Sequence, residues 1–129
     1  MTNNLEKTYN NLSSSSNEDV KIFLTSSLLE NSNYKDRLAI HRINQWIKGK
    51  RGLNISTLDK YIYDIGYEKL WPKIFELLAT DNDSLRTLEL KLKYDKALIS
   101  KIRKGVKSDM RIEEAIRIFS YYKVKIFTK

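Results

Sequence analysis

The chain of 129 residues contains no cysteine. That excludes a disulfide framework, thiolate catalysis and cysteine-based metal sites. Proline occurs once and glycine four times, which is too little turn chemistry for a fold of many short strands. No apolar run approaches the roughly 20 residues that a membrane-spanning helix needs. The first residues, MTNNLEKTYNNLSSSSNEDV, have neither the basic start nor the apolar stretch of a secretory signal, and they lack the acid-poor amphipathic pattern of a transit peptide. The expectation is a cytoplasmic protein. Histidine occurs once, as His41, and one imidazole without cysteine or spaced acids cannot build a zinc site. There is no glycine-rich phosphate loop and no nucleophile–histidine–acid arrangement. Glu113 and Glu114 are adjacent, so on a helix they point about 100° apart and do not converge as a catalytic pair. No enzymatic activity and no cofactor are expected.

What is present is apolar residues at helical spacing and an excess of positive charge. Hydrophobic residues make up 41 % of the chain and the formal net charge is +8. The charge is clustered. Residues 35–51 hold six Lys or Arg against one acid, and residues 86–107 hold eight against two. Two basic clusters in a small chain point to a polyanionic partner, nucleic acid first.

The periodicity predicts an all-α fold. Residues 1–16, rich in Asn and Ser, bury too little apolar surface to offset their ordering entropy and read as a flexible tail. Ser16 or Asn17, with Glu18 and Asp19 behind it, starts a helix that buries Val20, Phe23, Leu24 and Leu28. Ser32 or Asn33 is the expected cap of a second helix with Leu38, Ile43, Trp46 and Ile47 inward, stopped at Lys48-Gly49. Asn54 or Ser56 caps a third, striped by Ile55, Leu58, Ile62 and Ile65 and closed by Gly66. Pro72 fits the first turn of a fourth, and Trp71, Phe75 and Leu78 are the expected contacts between the two halves. Ser84 caps a helix through Leu85, Leu88 and Leu92. Asp95 caps a short one with Leu98, Ile99 and Ile102 inward, stopped at Lys104-Gly105. Met110, Ile112, Ala115, Ile116 and Phe119 stripe the last. Val124, Ile126 and Phe127 are β-formers and predict a short C-terminal strand or an extended tail.

The chain says the same thing twice. With an offset of 56, Ile43 meets Ile99, Trp46 meets Ile102 and Lys48-Gly49 meets Lys104-Gly105. One residue later in register, Leu53 meets Met110, Ile55 meets Ile112 and Leu58 meets Ala115. The agreement lies in apolar pattern and in the Lys-Gly stop followed by a basic turn. It predicts two units, 17–79 and 80–129, packed as an internal pseudo-dimer.

The stretch LRTLELKLKYDKALISKIRKGVKSDMRIEEAIRIFSYYKVKI, Leu85 to Ile126, resembles the lambda-repressor-like (Cro/C1-type) helix-turn-helix domain. The likeness rests on a scaffold helix with Leu88 and Leu92, a sharp turn at Lys93-Tyr94-Asp95, a short helix with Ile99 and Ile102 inward, and Gly105 with basic residues after it. Glu89 stands where that family has a small residue, and Lys93 where it has glycine in the turn. The first half resembles the family from its second helix onward, with Arg42 where the second half has Leu98. In size and layout the chain is also similar to small phage proteins and to TraN-type transfer proteins of conjugative plasmids.

The resemblance implies binding to double-stranded DNA through two recognition helices in the major groove. In the second half the outward positions are Lys96, Ala97, Ser100, Lys101, Arg103 and Lys104. In the first half they are Ile40, His41, Asn44, Gln45 and Lys48. Lys can donate to guanine, and Asn or Gln can pair bidentately with adenine. Lys50, Arg51 and Lys107, in the basic turns, suit phosphates, as do backbone donors of helices starting near Ser84 and Asn33. The implied role is that of a small phage or plasmid regulator or a conjugative-transfer accessory protein, with regulatory or transfer proteins as further partners. A monomer with an internal pseudo-twofold needs no second copy. A protein-binding adaptor or inhibitor on the same scaffold is the competing reading, because a fold does not dictate function.

Overall fold

The computed structural model describes residues 16–106 and 109–129. Seven α-helices make up its regular structure: α1 (Asn17–Glu30), α2 (Arg37–Ile47), α3 (Ile55–Asp64), α4 (Leu70–Thr80), α5 (Leu85–Leu92), α6 (Lys96–Arg103) and α7 (Ile112–Tyr122). None is long and apolar enough to cross a membrane. The expected tail lies outside the described residues but for Ser16.

Local chemistry accounts for most of the ends. The Ser16 hydroxyl accepts from the Asp19 N–H while the Asp19 carboxylate accepts from the Ser16 N–H, a reciprocal cap. Ser84 and Asp95 cap α5 and α6 through the N–H groups of Thr87 and Ala97. Helix α4 is capped from a distance. Its Leu70 and Trp71 N–H groups donate to the buried Asp59 carboxylate at 2.7 and 3.0 Å, so a charge on α3 sits where the α4 dipole favours it.

Helix α2 departs from expectation at its start. Asp36, not Ser32 or Asn33, is its cap, accepting from Ala39 N–H at 3.0 Å. The first turn of α2 runs past the core, which leaves Leu38 57 % exposed. Its counterpart in the repeat, Tyr94, is buried.

The apolar stripes close into one core drawn from all seven helices. Ile43, Ile99 and Ile102 are fully buried, as are Leu58, Ile62, Ile112 and Phe119. The C-terminal segment makes no strand among the described residues. Residues 124–129 are irregular, with a bend at Ile126 and Phe127. The Phe127 ring stacks on Phe23 of α1 at 4.2 Å between centroids, and Glu68 N–H donates to the Thr128 carbonyl at 2.7 Å. A single segment with one inward apolar pair, Ile126 and Phe127, finds burial against helices but no neighbouring edge to pair with.

The α4 residues expected between the halves differ in exposure: Leu78 is buried, Trp71 is half-buried and Phe75 is 36 % exposed, and a Cβ placed on Gly105 of the second half would lie 4.0 Å from the Phe75 ring. Polar bonds link the halves as well. The Trp46 indole N–H donates to Glu113 at 2.8 Å, and Ser56 donates through both N–H and hydroxyl to Asp109.

Candidate nucleic-acid interface

Helices α2 and α6 stop in the same way. Gly49 and Gly105 are left-handed, at φ 73° and 80°. Gly49 N–H donates to the Trp46 carbonyl and Lys50 N–H to that of Gln45, each at 2.9 Å; Gly105 donates to Ile102 and Val106 to Lys101, also at 2.9 Å. This is a Schellman ending, which requires a residue tolerant of positive φ.

The correspondence continues beyond what residue identities carry. Helices α3 and α7 end at Gly66 and Lys123, which are 57 residues apart and both left-handed, at φ 104° and 55°. Tyr67 N–H returns to the Ile62 carbonyl and Val124 N–H to that of Phe119, again partners at the same offset. No sequence signal marked Lys123, since a Lys holds the conformation that glycine holds in the first half.

Between the Gly stops and these helices the two halves meet. Asn54 and Arg111 form an antiparallel bridge. Ile55 N–H donates to the Met110 carbonyl at 2.8 Å, and Ile112 N–H to the Leu53 carbonyl at 2.9 Å. Asn54 pairs with its own counterpart in the repeat and the two flanking bonds join equivalent positions, so the junction is locally two-fold.

The residues expected at the interface separate into groups. On α6, Lys96, Ala97, Lys101 and Lys104 are exposed and Ser100 is half-buried. Ala97, Lys101 and Lys104 recur at helical spacing on one face. On α2 the counterparts His41 and Lys48 are exposed, and Ile40, Asn44 and Gln45 are half-buried. Lys50 and Arg51 are exposed in the turn after α2. Lys107 lies outside the described residues.

Arg103 does not belong to this face. Its guanidinium donates to the carbonyls of Leu78, Asp81 and Asp83 at 2.9, 2.6 and 2.8 Å. It ties α6 to the end of α4 and the following loop, and three carbonyl bonds leave its fork committed to the protein. Backbone donors at the starts of the helices are engaged as well. At the start after Asn33 the Asp36 carboxylate accepts from Ala39 N–H, and at the start by Ser84 its hydroxyl accepts from Thr87 N–H; at α6, Ala97 N–H donates to Asp95 and Lys96 N–H to Glu89. Glu89, which departs from the family pattern, thus has a place: it caps the helix after the turn. Lys93 in that turn is left-handed at φ 52°, the conformation for which glycine is the usual residue. Arg117 steadies the turn by donating to the Leu92 and Lys93 carbonyls at 3.3 and 3.2 Å.

Between the end of its first helix and the Gly stop, the first half is six residues longer than the second. Three lie in the α1–α2 loop, which spans six residues against three between α5 and α6, and three lengthen α2 at its start. That is why the sequence of the first turn aligns only with a gap.

Sequence reasoning missed Arg42 and Arg111. Both line a cleft beside the Asn54–Arg111 junction, together with Arg51. Arg42 stands where the second half has the half-buried Leu98, and that substitution of charge for an aliphatic side chain was the available signal. Comparisons with protein-family models, curated proteins and solved structures give no match to this chain.

Proposed function

We propose that the protein binds double-stranded DNA sequence-specifically, as two helix-turn-helix units in one chain. Helices α2 and α6 enter successive major-groove segments roughly 34 Å apart. The observation that carries this reading is the reciprocal pairing of Asn54 with Arg111, which relates two exposed helices with the same left-handed glycine stop. A chain so arranged presents to a duplex what a dimer of single units presents. Lys101 and Lys104 on α6 and Gln45 and Lys48 on α2 are the side chains for the grooves; Lys50 and Arg51 take phosphates. Because α2 and α6 carry different side chains, the preferred site is asymmetric. With no added effector domain among the described residues, occlusion of a promoter or shaping of DNA at a transfer origin is the mechanism that such a chain supports.

The test is selection from a randomised duplex pool at two salt concentrations, with the stoichiometry read by ultracentrifugation. Enrichment of two unlike sequence blocks about one helical turn apart, with one chain per site, is the expected result. Failure to bind at low salt rejects the reading.

One observation favours a second reading, a protein-binding adaptor. Tyr63, Pro72, Phe75 and Ala79 line an apolar groove beside α4, and Tyr63 is 60 % exposed. Salt-insensitive binding to a protein, without DNA affinity, is the outcome that supports it.

A further inference from the structure

The cleft at the junction of the repeats is built from three guanidinium groups contributed by separate elements. Arg42 comes from α2, Arg51 from the turn after it, and Arg111 from the residue before α7. The cavity measures about 260 Å³, and Asn54 and Thr57 complete its polar wall. No carboxylate lines it, and among the described residues none forms an ion pair with any of the three arginines. Like charges gathered in a concavity repel one another, and the repulsion is relieved by an anion. The Nε of Arg42 is buried and has no hydrogen-bond partner among the described residues, a condition that costs free energy until an acceptor arrives.

The backbone is shaped to admit this arrangement. A Cβ placed on Gly52 would lie 1.9 Å from Nη1 of Arg111. The guanidinium of Arg111 therefore lies over the bare backbone of the residue between Arg51 and Leu53. The antiparallel pairing sets Arg111 directly opposite Asn54, two residues from Gly52, and residues so placed between the ladder hydrogen bonds have close side chains. Planar forks of this kind match the oxygens of phosphate in a bidentate manner.

We propose that Arg42, Arg51 and Arg111 form a phosphate-binding site at the junction of the two repeats. Its ligand is a phosphoryl oxygen group, supplied either by a free phosphate-bearing anion or by a phosphodiester of bound DNA. The inference stands on the cavity itself and not on the DNA reading, because a free anion fills the site whether or not α2 and α6 enter a groove.

Two substitutions probe the site without touching the core. Arg51→Gln removes one exposed fork. Gly52→Ala leaves every charge in place and displaces the Arg111 guanidinium, which as the end of a flexible side chain can move without unfolding the chain. Lys35→Gln, an exposed charge in the loop before α2, is the control. Calorimetric titration of the full chain with inorganic pyrophosphate is expected to show binding that weakens about tenfold in Arg51→Gln and Gly52→Ala, as loss of a charge-assisted bond implies, and is unchanged in Lys35→Gln. The second arm is binding to the randomised duplex pool across salt concentrations. If pyrophosphate gives no heat but Arg51→Gln lowers the salt slope by about one and Gly52→Ala also weakens DNA binding while Lys35→Gln does neither, the phosphate comes from DNA and the site stands; an effect of Arg51→Gln alone is what the DNA reading already gives and overturns the site. Pyrophosphate binding without DNA binding keeps the site and rejects the DNA reading. The proposal is overturned if both arms are silent to Arg51→Gln and Gly52→Ala, or if Lys35→Gln weakens binding as much as they do.

Discussion

Asn54 and Arg111 face each other across an antiparallel bridge and are counterparts in a repeat of 57 residues. The flanking bonds, Ile55 to Met110 and Ile112 to Leu53, exchange donor and acceptor between equivalent positions. The contact is locally two-fold and lies within a single chain.

On the DNA-binding function proposed above, the exposed faces of α2 and α6 divide the labour. Lys101→Ala and Lys104→Ala are each expected to weaken binding, and a Lys that contacts a phosphate lowers the salt slope by about one when removed. Gln45→Ala is expected to leave that slope unchanged and to relax the preference at one base pair, at a cost of about 1–3 kcal/mol in discrimination. Filter binding across a salt series, with matched and mutated sites, separates the two effects.

Arg103 is expected to behave as a structural residue. Its three carbonyl acceptors lose a charged donor in Arg103→Ala, at a cost of about 2–3 kcal/mol. Lys at this position keeps the charge but not the planar fork, so it restores only part of the loss. Denaturant unfolding reads the stability. The salt slope for DNA should stay at the wild-type value in whatever fraction remains folded.

Asp81 and Tyr122 bind the end of α4 to α7, with the Tyr122 hydroxyl donating to the carboxylate at 2.5 Å. Burial alone would raise the Asp81 pKa, but hydrogen bonds from Tyr122 and the Asp83 N–H, with Arg103 nearby, hold it below the ordinary 3.8. Burial, with the bond to Asp81, pushes the Tyr122 phenol above its ordinary 10.0. A depressed carboxylate stabilises the fold fully above its unfolded pKa and loses that contribution as pH falls through the folded value. A raised phenol stabilises it fully below its unfolded pKa and loses that contribution as pH rises through the folded value. The pair therefore contributes across the range between about 4 and 10 set by the unfolded values. Tyr122→Phe should lower Tm through that range and make the acid-side decline shallower, as thermal melts over a pH series will show.

Lys93 and Lys123 both hold positive φ, at 52° and 55°. An L side chain in this region costs roughly 1–2 kcal/mol relative to glycine, partly offset by the backbone freedom glycine loses on folding. Lys93→Gly and Lys123→Gly are each expected to stabilise the chain, by up to about 1 kcal/mol. Urea unfolding tests this; a loss of stability in either variant would show that the Lys side chain contributes more than its backbone strain removes.

Much of the local structure was legible because its causes are local. The caps at Ser16, Ser84 and Asp95 and the glycine stops at Gly49, Gly66 and Gly105 follow from side chains within a few residues of where they act. Asp36 escaped because Ser32 and Asn33, which precede it, are equally good caps, and only the length of the α1–α2 loop decides among them. Lys123 escaped because its left-handed backbone is held by a residue that does not favour it, whereas Lys93 was marked by the glycine that the resembled family has in that turn.

The sequence by itself determined the all-α class, the placing of the seven helices and the repeat of a helix, a Lys-Gly stop and a basic turn. Periodicity and capping are properties of neighbours along the chain, and they act before the chain is compact. Tertiary structure alone decided that Arg103 turns inward, that the C-terminal segment stacks Phe127 on Phe23, and that Arg42, Arg51 and Arg111 share one cleft. The charge of an arginine is written in the sequence. Whether it meets a carbonyl, solvent or two other arginines depends on groups many residues away, which only the folded core brings within reach.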